Sequence, residues 1–194
     1  VTELLDDPEV RLLNLVGIGG VGKSRLAGHV CEHLEQGGAE IRVVELAEAD
    51  GPEAALALLA DALPAAPADG ARPPLVLAEN LESTAPLGRA LAALLAAHPG
   101  VTVLATSRVA LGLSREHLYR VRPLDVTDGA AARALFLRHA RRVAYESSLD
   151  THEQTVTAIC RQLEGHPLAL IIAAGQLAVL PADALLSRLR AGGP

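Results

Sequence analysis

Lys23 is the only lysine in the 194-residue chain; the other sixteen of its seventeen basic residues are arginine. It stands in Gly17-Ile18-Gly19-Gly20-Val21-Gly22-Lys23-Ser24, the spacing G-x-x-x-x-G-K-[ST] of a phosphate-binding loop. Glycines at such spacing let successive backbone N–H groups turn inward around a phosphate, and the helix that follows adds its positive N-terminal end. An ammonium is a compact point charge that reaches between the β- and γ-phosphates, where a planar guanidinium is bulkier and more demanding of geometry. Ser24 offers a hydroxyl to Mg²⁺. With glycine at roughly 7% of residues, a chance match somewhere in a chain this long is on the order of one in a hundred. The reading is that Gly17, Gly19, Gly20, Val21, Gly22, Lys23, Ser24 and Arg25 bind a nucleoside phosphate.

Three further segments carry chemistry. In Leu75-Val76-Leu77-Ala78-Glu79-Asn80-Leu81-Glu82, an acidic residue ends an apolar strand, where the Mg²⁺-coordinating carboxylate of a phosphate-loop protein belongs. That residue is Glu79 in place of the usual aspartate. A second alignment puts Ala78 at the metal position and Glu79 at that of a catalytic base, with Glu82 as another candidate. The plain alternative is an acidic strand end in solvent. Ala105-Thr106-Ser107-Arg108 runs from a strand into a turn. If its strand lies between the first and third, Arg108 faces the γ-phosphate; otherwise it is a solvated arginine. Gly165-His166-Pro167-Leu168 reads locally as a connector, with glycine capping one helix and proline opening the next. His166 is read as a structural or exposed histidine.

These segments need elements to hold them. From residue 10 to about 122, strand and helix signals alternate. Strands are expected over Val10–Val16, Ile41–Leu46, Leu75–Ala78, Val101–Ala105 and His117–Val121. Helices are expected from Gly22 to about Glu35, over Pro52–Leu63 and over Pro86–Ala97, with a proline-rich loop over Pro64–Pro74. Near-continuous apolar strands are those of a parallel sheet covered on both faces. The fold class is α/β: a doubly wound parallel sheet of about five strands with the loop at the carboxyl end of the first. After Pro123 only helices follow, over Ala130–Val143, Glu153–Leu163, Leu168–Leu180 and Ala184–Arg190. On the first, Phe136, Ala140 and Val143 share a face; on the second, Val156, Ile159, Cys160 and Leu163 do. The third is apolar on nearly every side and is expected to be the buried centre of this part. The division is a P-loop domain over 1–124 and a helical subdomain over 125–194.

Composition excludes other classes. The net charge of −6 opposes a phosphate-backbone footprint, and Tyr119, Phe136 and Tyr145 are too few for a base-stacking platform, so this segment is not expected to bind nucleic acid directly. Cys31 and Cys160 fall within helical patterns and read as buried thiols rather than a disulfide or a metal site. No apolar run is long enough to span a bilayer and no signal peptide opens the chain, so the expected location is cytoplasmic. The absence of methionine leads to the expectation that the sequence is part of a longer protein.

In order and approximate spacing, Gly17–Ala27, Leu75–Glu82, Val101–Arg108, Arg122-Pro123-Leu124 and Ile159–Leu170 resemble the NB-ARC module of STAND-class signal-transduction ATPases. The nearest variety is that of bacterial transcriptional regulators of the SARP and LuxR-like types. The resemblance covers nearly the whole chain. It implies that the loop binds ATP or ADP, that Ser24 and Glu79 hold Mg²⁺, that Arg108 senses the γ-phosphate, and that Pro167 presses on the adenine. Lys23, Glu79 and Arg108 would then serve any catalysis. Members of the family hold ADP in a closed state and open or self-associate on exchange for ATP, in concert with other domains of a longer chain. Glutamate at 79 departs from the family's aspartate and argues for slow hydrolysis or none. The function implied is a molecular switch; the alternatives are a working AAA+-like ATPase and a non-hydrolysing scaffold with a degenerate site.

Overall fold

The computed structural model of the protein describes residues 1–63, 74–143 and 153–192. Apart from Pro74, the expected proline-rich loop lies outside the described residues. Five strands form one sheet: β1 (Leu12–Val16), β2 (Ile41–Glu45), β3 (Leu75–Glu79), β4 (Thr102–Ser107) and β5 (Glu116–Arg120). Their order is β2-β3-β4-β1-β5, and every pairing is parallel. Side chains alternate across a strand, so each central strand divides its residues between two cores. Leu13, Leu15, Leu75, Leu77 and Leu104 pack on one face with Ala27, Val30, Cys31 and Leu34 of α2 (Lys23–Gln36). Leu12, Val76, Ala78, Val103 and Ala105 pack on the other, with Ala55 and Leu59 of α3 (Pro52–Ala62) and Leu91 of α4 (Gly88–Ala97). The largely apolar runs of β1, β3 and β4, interrupted by Asn14, Thr106 and Ser107, follow from that double coverage. Edge strands β2 and β5 are covered less, leaving Val43, Leu118 and Tyr119 exposed.

Several boundaries differ from the expected ones for local reasons. β1 starts at Leu12 because Val10 N–H donates to Asp7 O and closes a turn. A four-residue helix α1 (Thr2–Leu5) precedes it, with no sequence expectation behind it. Pro86 does not open an α-helix; it lies inside a 3-10 segment, Leu81–Leu87, and α4 begins only at Gly88. That segment starts from Asn80, whose φ of 59° lies in the left-handed region that asparagine tolerates better than most residues. Pro52 does open α3, following Gly51 at φ 93°.

The described chain divides into two compact units: 1–19 with 23–121, and 20–22 with 122–192. In the second unit α5 (Ala130–Val143), α6 (Glu153–Gln162), α7 (Pro167–Gln176) and α8 (Ala182–Arg190) enclose a core of Phe136, Ala140, Val156, Ile159, Cys160, Leu170, Ala173, Ala174, Leu185 and Leu186. Val143, expected on the buried face of α5, is exposed, as the last residue before the helix ends. The stretch 168–180 is not a helix buried all round. α7 stops at Gln176, and Leu168, Ile172 and Val179 are exposed, because the core needs only the stripe through Leu170, Ala173 and Ala174. Within the same unit, Leu168 N–H donates to Gly20 O at 3.2 Å, and a Cβ on Gly20 would lie 2.6 Å from Leu168 Cβ. No described helix is long and apolar enough to cross a membrane.

Gly165 has a positional reason. Its φ is +65°, its N–H donates to Cys160 O, its carbonyl accepts from Leu124 N–H, and an added Cβ would stand 2.0 Å from Leu124 O. Gly165→Ala therefore forces backbone to move and should destabilise the protein by about 1–3 kcal/mol, read from the urea midpoint. The two thiols add a pH effect. Burial pushes Cys31 and Cys160 from 9.0 up to about 11, with Glu35 and Glu79 adding to the rise at Cys31 and Arg133 opposing it at Cys160. Below about pH 9 both folded and unfolded chains keep these protons. As pH climbs from about 9 to about 11 the unfolded chain loses protons that the folded chain retains, so stability falls across that window. A Cys31→Ala, Cys160→Ala double variant should lose stability less steeply there, measured by denaturant titration at successive pH values.

Candidate functional site

The loop begins where β1 ends. Gly17 N–H donates to Ser107 O at 3.3 Å, extending the β1–β4 ladder by one rung before the chain leaves the sheet. Gly20 and Gly22 then take φ values of +74° and +103°. Nothing lies within 4 Å of a Cβ built on Gly22, so the demand there is for a backbone conformation and not for space. Val21 is buried and anchors the turn, while Ile18, Ser24 and Arg25 are exposed. Lys23 opens α2, and its Nζ folds back to donate to Gly17 O at 2.8 Å and Ile18 O at 3.2 Å. Burial holds its ammonium below the ordinary lysine range; Glu82 opposes that shift and Arg108 adds to it. The first-turn amides of α2 have no acceptor within the helix, and the helix dipole places positive potential there. A half-buried cation beside unpaired amides at a helix start suits a polyanion.

Strand order brings the acidic and basic partners to this end. Because β4 lies between β1 and β3, the carboxyl ends of all three are adjacent. Glu79 is the last residue of β3 and half-buried, and its carbonyl accepts from Leu46 N–H. The chain turns at Asn80, whose N–H donates to the buried Thr106 Oγ1 at 3.1 Å and whose Nδ2 donates to Glu45 Oε1 at 2.8 Å. That turn delivers Glu82. Its Oε1 lies 3.6 Å from Arg108 Nε, and its Oε2 is buried with no hydrogen-bond partner among the described residues. Arg108, just past β4, keeps a side chain 71% exposed against 22% for Glu82. Pro167 is the first residue of α7, where His166 Nδ1 accepts from Ala169 N–H at 3.3 Å.

Lys23, Glu82 and Arg108 thus form one electrostatic group, and Arg108 follows β4, which lies between β1 and β3. Glu79, after burial and Glu35, adds to the upward shift of the Cys31 thiol. Two supporting features carried no assignment from sequence. The Thr106 hydroxyl fixes the start of the turn to Glu82. On the opposite flank of β1, buried Asn14 donates to Glu116 Oε1 at 2.6 Å, and the same carboxylate accepts from Leu111 and Gly112 N–H, tying down the segment that follows Arg108. A polar residue in the middle of the apolar run Leu12–Val16 was the available signal for the second. The groups present fit a nucleotide phosphate with Mg²⁺: Ser24 and the two glutamates are the hard oxygen donors that this ion prefers, and Glu82 holds an orphaned buried oxygen. Replacing Thr106 by valine keeps the shape, removes the acceptor of Asn80 N–H and should cost about 1–3 kcal/mol. Calorimetric melting of the variant checks this, with the nearby Thr102→Val at the half-buried start of β4 as control.

No family model matches the chain. A protein of Mycobacterium bovis that bears the provisional name of an HTH-type transcriptional regulator is 36% identical over 203 residues, covering 94% of this chain and 23% of that protein. An uncharacterized protein of the same organism is 34% identical over 205 residues, covering 97% of this chain and 51% of its own length. The chain therefore spans between about a quarter and about half of the curated relatives it matches. Among solved structures, the Walker-type ATPase of Pyrococcus abyssi superposes with a TM-score of 0.60 at 14% identity, over 97% of this chain and 68% of that one. The five-stranded parallel sheet with its flanking helices is the fold of the P-loop ATPases.

Proposed function

We propose that this chain is the adenine-nucleotide-binding switch module of a STAND-type regulatory protein. The observation that carries the reading is Lys23 Nζ bound to the Gly17 and Ile18 carbonyls, in a G-x-x-x-x-G-K-S loop at the carboxyl end of β1. Those two carbonyls hold the ammonium over the loop that would cradle the β-phosphate. Ser24 and Glu79 would hold Mg²⁺, which would supply neutralisation of phosphate charge. Arg108 reports the γ-phosphate, and Pro167 meets the adenine, an assignment that rests on the G-H-P-L element alone. Regulation by such a module requires ATP and ADP to favour different arrangements of the protein. The 36% identity to a protein named as a transcriptional regulator supports a regulatory setting. Cleavage of ATP, with glutamate at 79, is slow and acts as a reset.

Lys23→Ala should weaken both ATP and ADP by at least about tenfold, the loss of one charge-assisted contact. In wild-type protein a ligand at a hundred times its Kd stabilises the fold by about 2.7 kcal/mol, and the variant should lose that shift in a thermal melt. Steady-state turnover should stay well below about 1 s⁻¹. Faster turnover that vanishes in Glu79→Gln would mean a working ATPase and would overturn the switch assignment.

A further inference from the structure

Glu82 is held in a way that an ordinary surface carboxylate is not. One oxygen, Oε2, is buried without a hydrogen-bond partner among the described residues, while the other stands 3.6 Å from Arg108 Nε. Removing a carboxylate oxygen from water without a donor is unfavourable unless positive charge compensates it. The compensating charges here are Arg108, through that contact, and Lys23, whose ammonium responds to both residues. The left-handed turn at Asn80 delivers this carboxylate to Arg108.

We propose that Glu82 is a built-in counter-anion to Lys23 and Arg108, which the terminal phosphate of a nucleoside triphosphate must displace, so that it sets the preference of the site for diphosphate over triphosphate. The inference rests on the nucleotide reading above. A diphosphate takes the loop amides and leaves the Glu82–Arg108 pair in place. A triphosphate brings further negative charge toward the same two cations, and two anions at contact distance in a partly desolvated site repel strongly. Mg²⁺ bound with the nucleotide would relieve that repulsion, so Glu82 would couple triphosphate binding to Mg²⁺. Arg108 acts in the same exchange, giving up the carboxylate for the phosphate.

The test is isothermal calorimetry with ADP and with a non-hydrolysable ATP analogue, each with excess Mg²⁺ and with chelator, on wild-type protein and on Glu82→Gln. The variant keeps the size and removes the charge. With chelator, the ratio of triphosphate to diphosphate affinity should rise by about tenfold or more, and the Mg²⁺ dependence of that ratio should shrink. ADP affinity should barely move. Glu82→Ala, checked for folding by circular dichroism, must shift the ratio the same way and stands in if Glu82→Gln does not fold. A ratio that is unchanged or lower overturns the proposal, and if only turnover falls Glu82 is a catalytic base instead. Lys23→Ala separates the two levels: loss of both nucleotides there with no change of ratio at Glu82 removes this inference alone. A wild-type protein that binds neither nucleotide removes both.

Discussion

Parallel pairing of β4 between β1 and β3 is the constraint on which the site depends. Parallel strands present all their carboxyl ends on one edge of the sheet, so residues far apart in sequence become neighbours there without long side chains having to reach. Val16 pairs with Ser107 and Ala78 with Ala105, which brings the loop, the acidic turn and Arg108 to one edge. Apolar residues packed from both faces hold this register, because a slip by one residue would exchange the contents of the two cores. The same pressure explains how 14% identity to the Pyrococcus ATPase suffices for the same sheet. What must persist is apolar volume at each position, and many residues supply it.

At this edge the protein gathers charge of both signs. Burial holds the Lys23 ammonium below the ordinary lysine range, and Glu82 opposes that shift. Its hydrogen bonds to two loop carbonyls pin the ammonium in place, so little conformational entropy remains to be lost when an anion arrives. Further polar groups support this set: Thr106 fixes the turn that delivers Glu82, and Asn14 with the Glu116 carboxylate restrains the chain beyond Arg108. Thr106 and Asn14 are buried polar residues whose removal would be felt at a distance, through position and not through contact.

The helical unit is built on another economy. Alanine supplies much of its core, at 132, 140, 173, 174 and 182, so the helices approach closely and one aromatic residue, Phe136, fills the remaining volume. Close approach leaves little tolerance at the connections. At Gly165 the backbones meet so tightly that a methyl group has no room. That glycine belongs to the same short element as Pro167, so one tetrapeptide serves both the packing of the unit and its proposed contact with the base.

Much was legible in the sequence because it is local. Glycine and lysine spacing defined the loop, apolar runs located most of the strands, and an i, i+3, i+4, i+7 pattern marked the helix at Glu153–Gln162. Glu79 and Arg108 were singled out from strand ends in the same way. Three things were decided only by tertiary structure. Which face of an all-apolar helix is buried depends on the space left by its neighbours, so Leu168 and Ile172 are exposed although their composition argues otherwise. Pro86 lies in a 3-10 segment because Asn80 turns the chain into the left-handed region. That turn, held by a hydroxyl twenty-six residues away, brings Glu82 beside Arg108. Spacing along a chain states which groups are present; only the pairing of distant strands states which charges meet, because Coulomb energy follows distance in space and not separation in sequence.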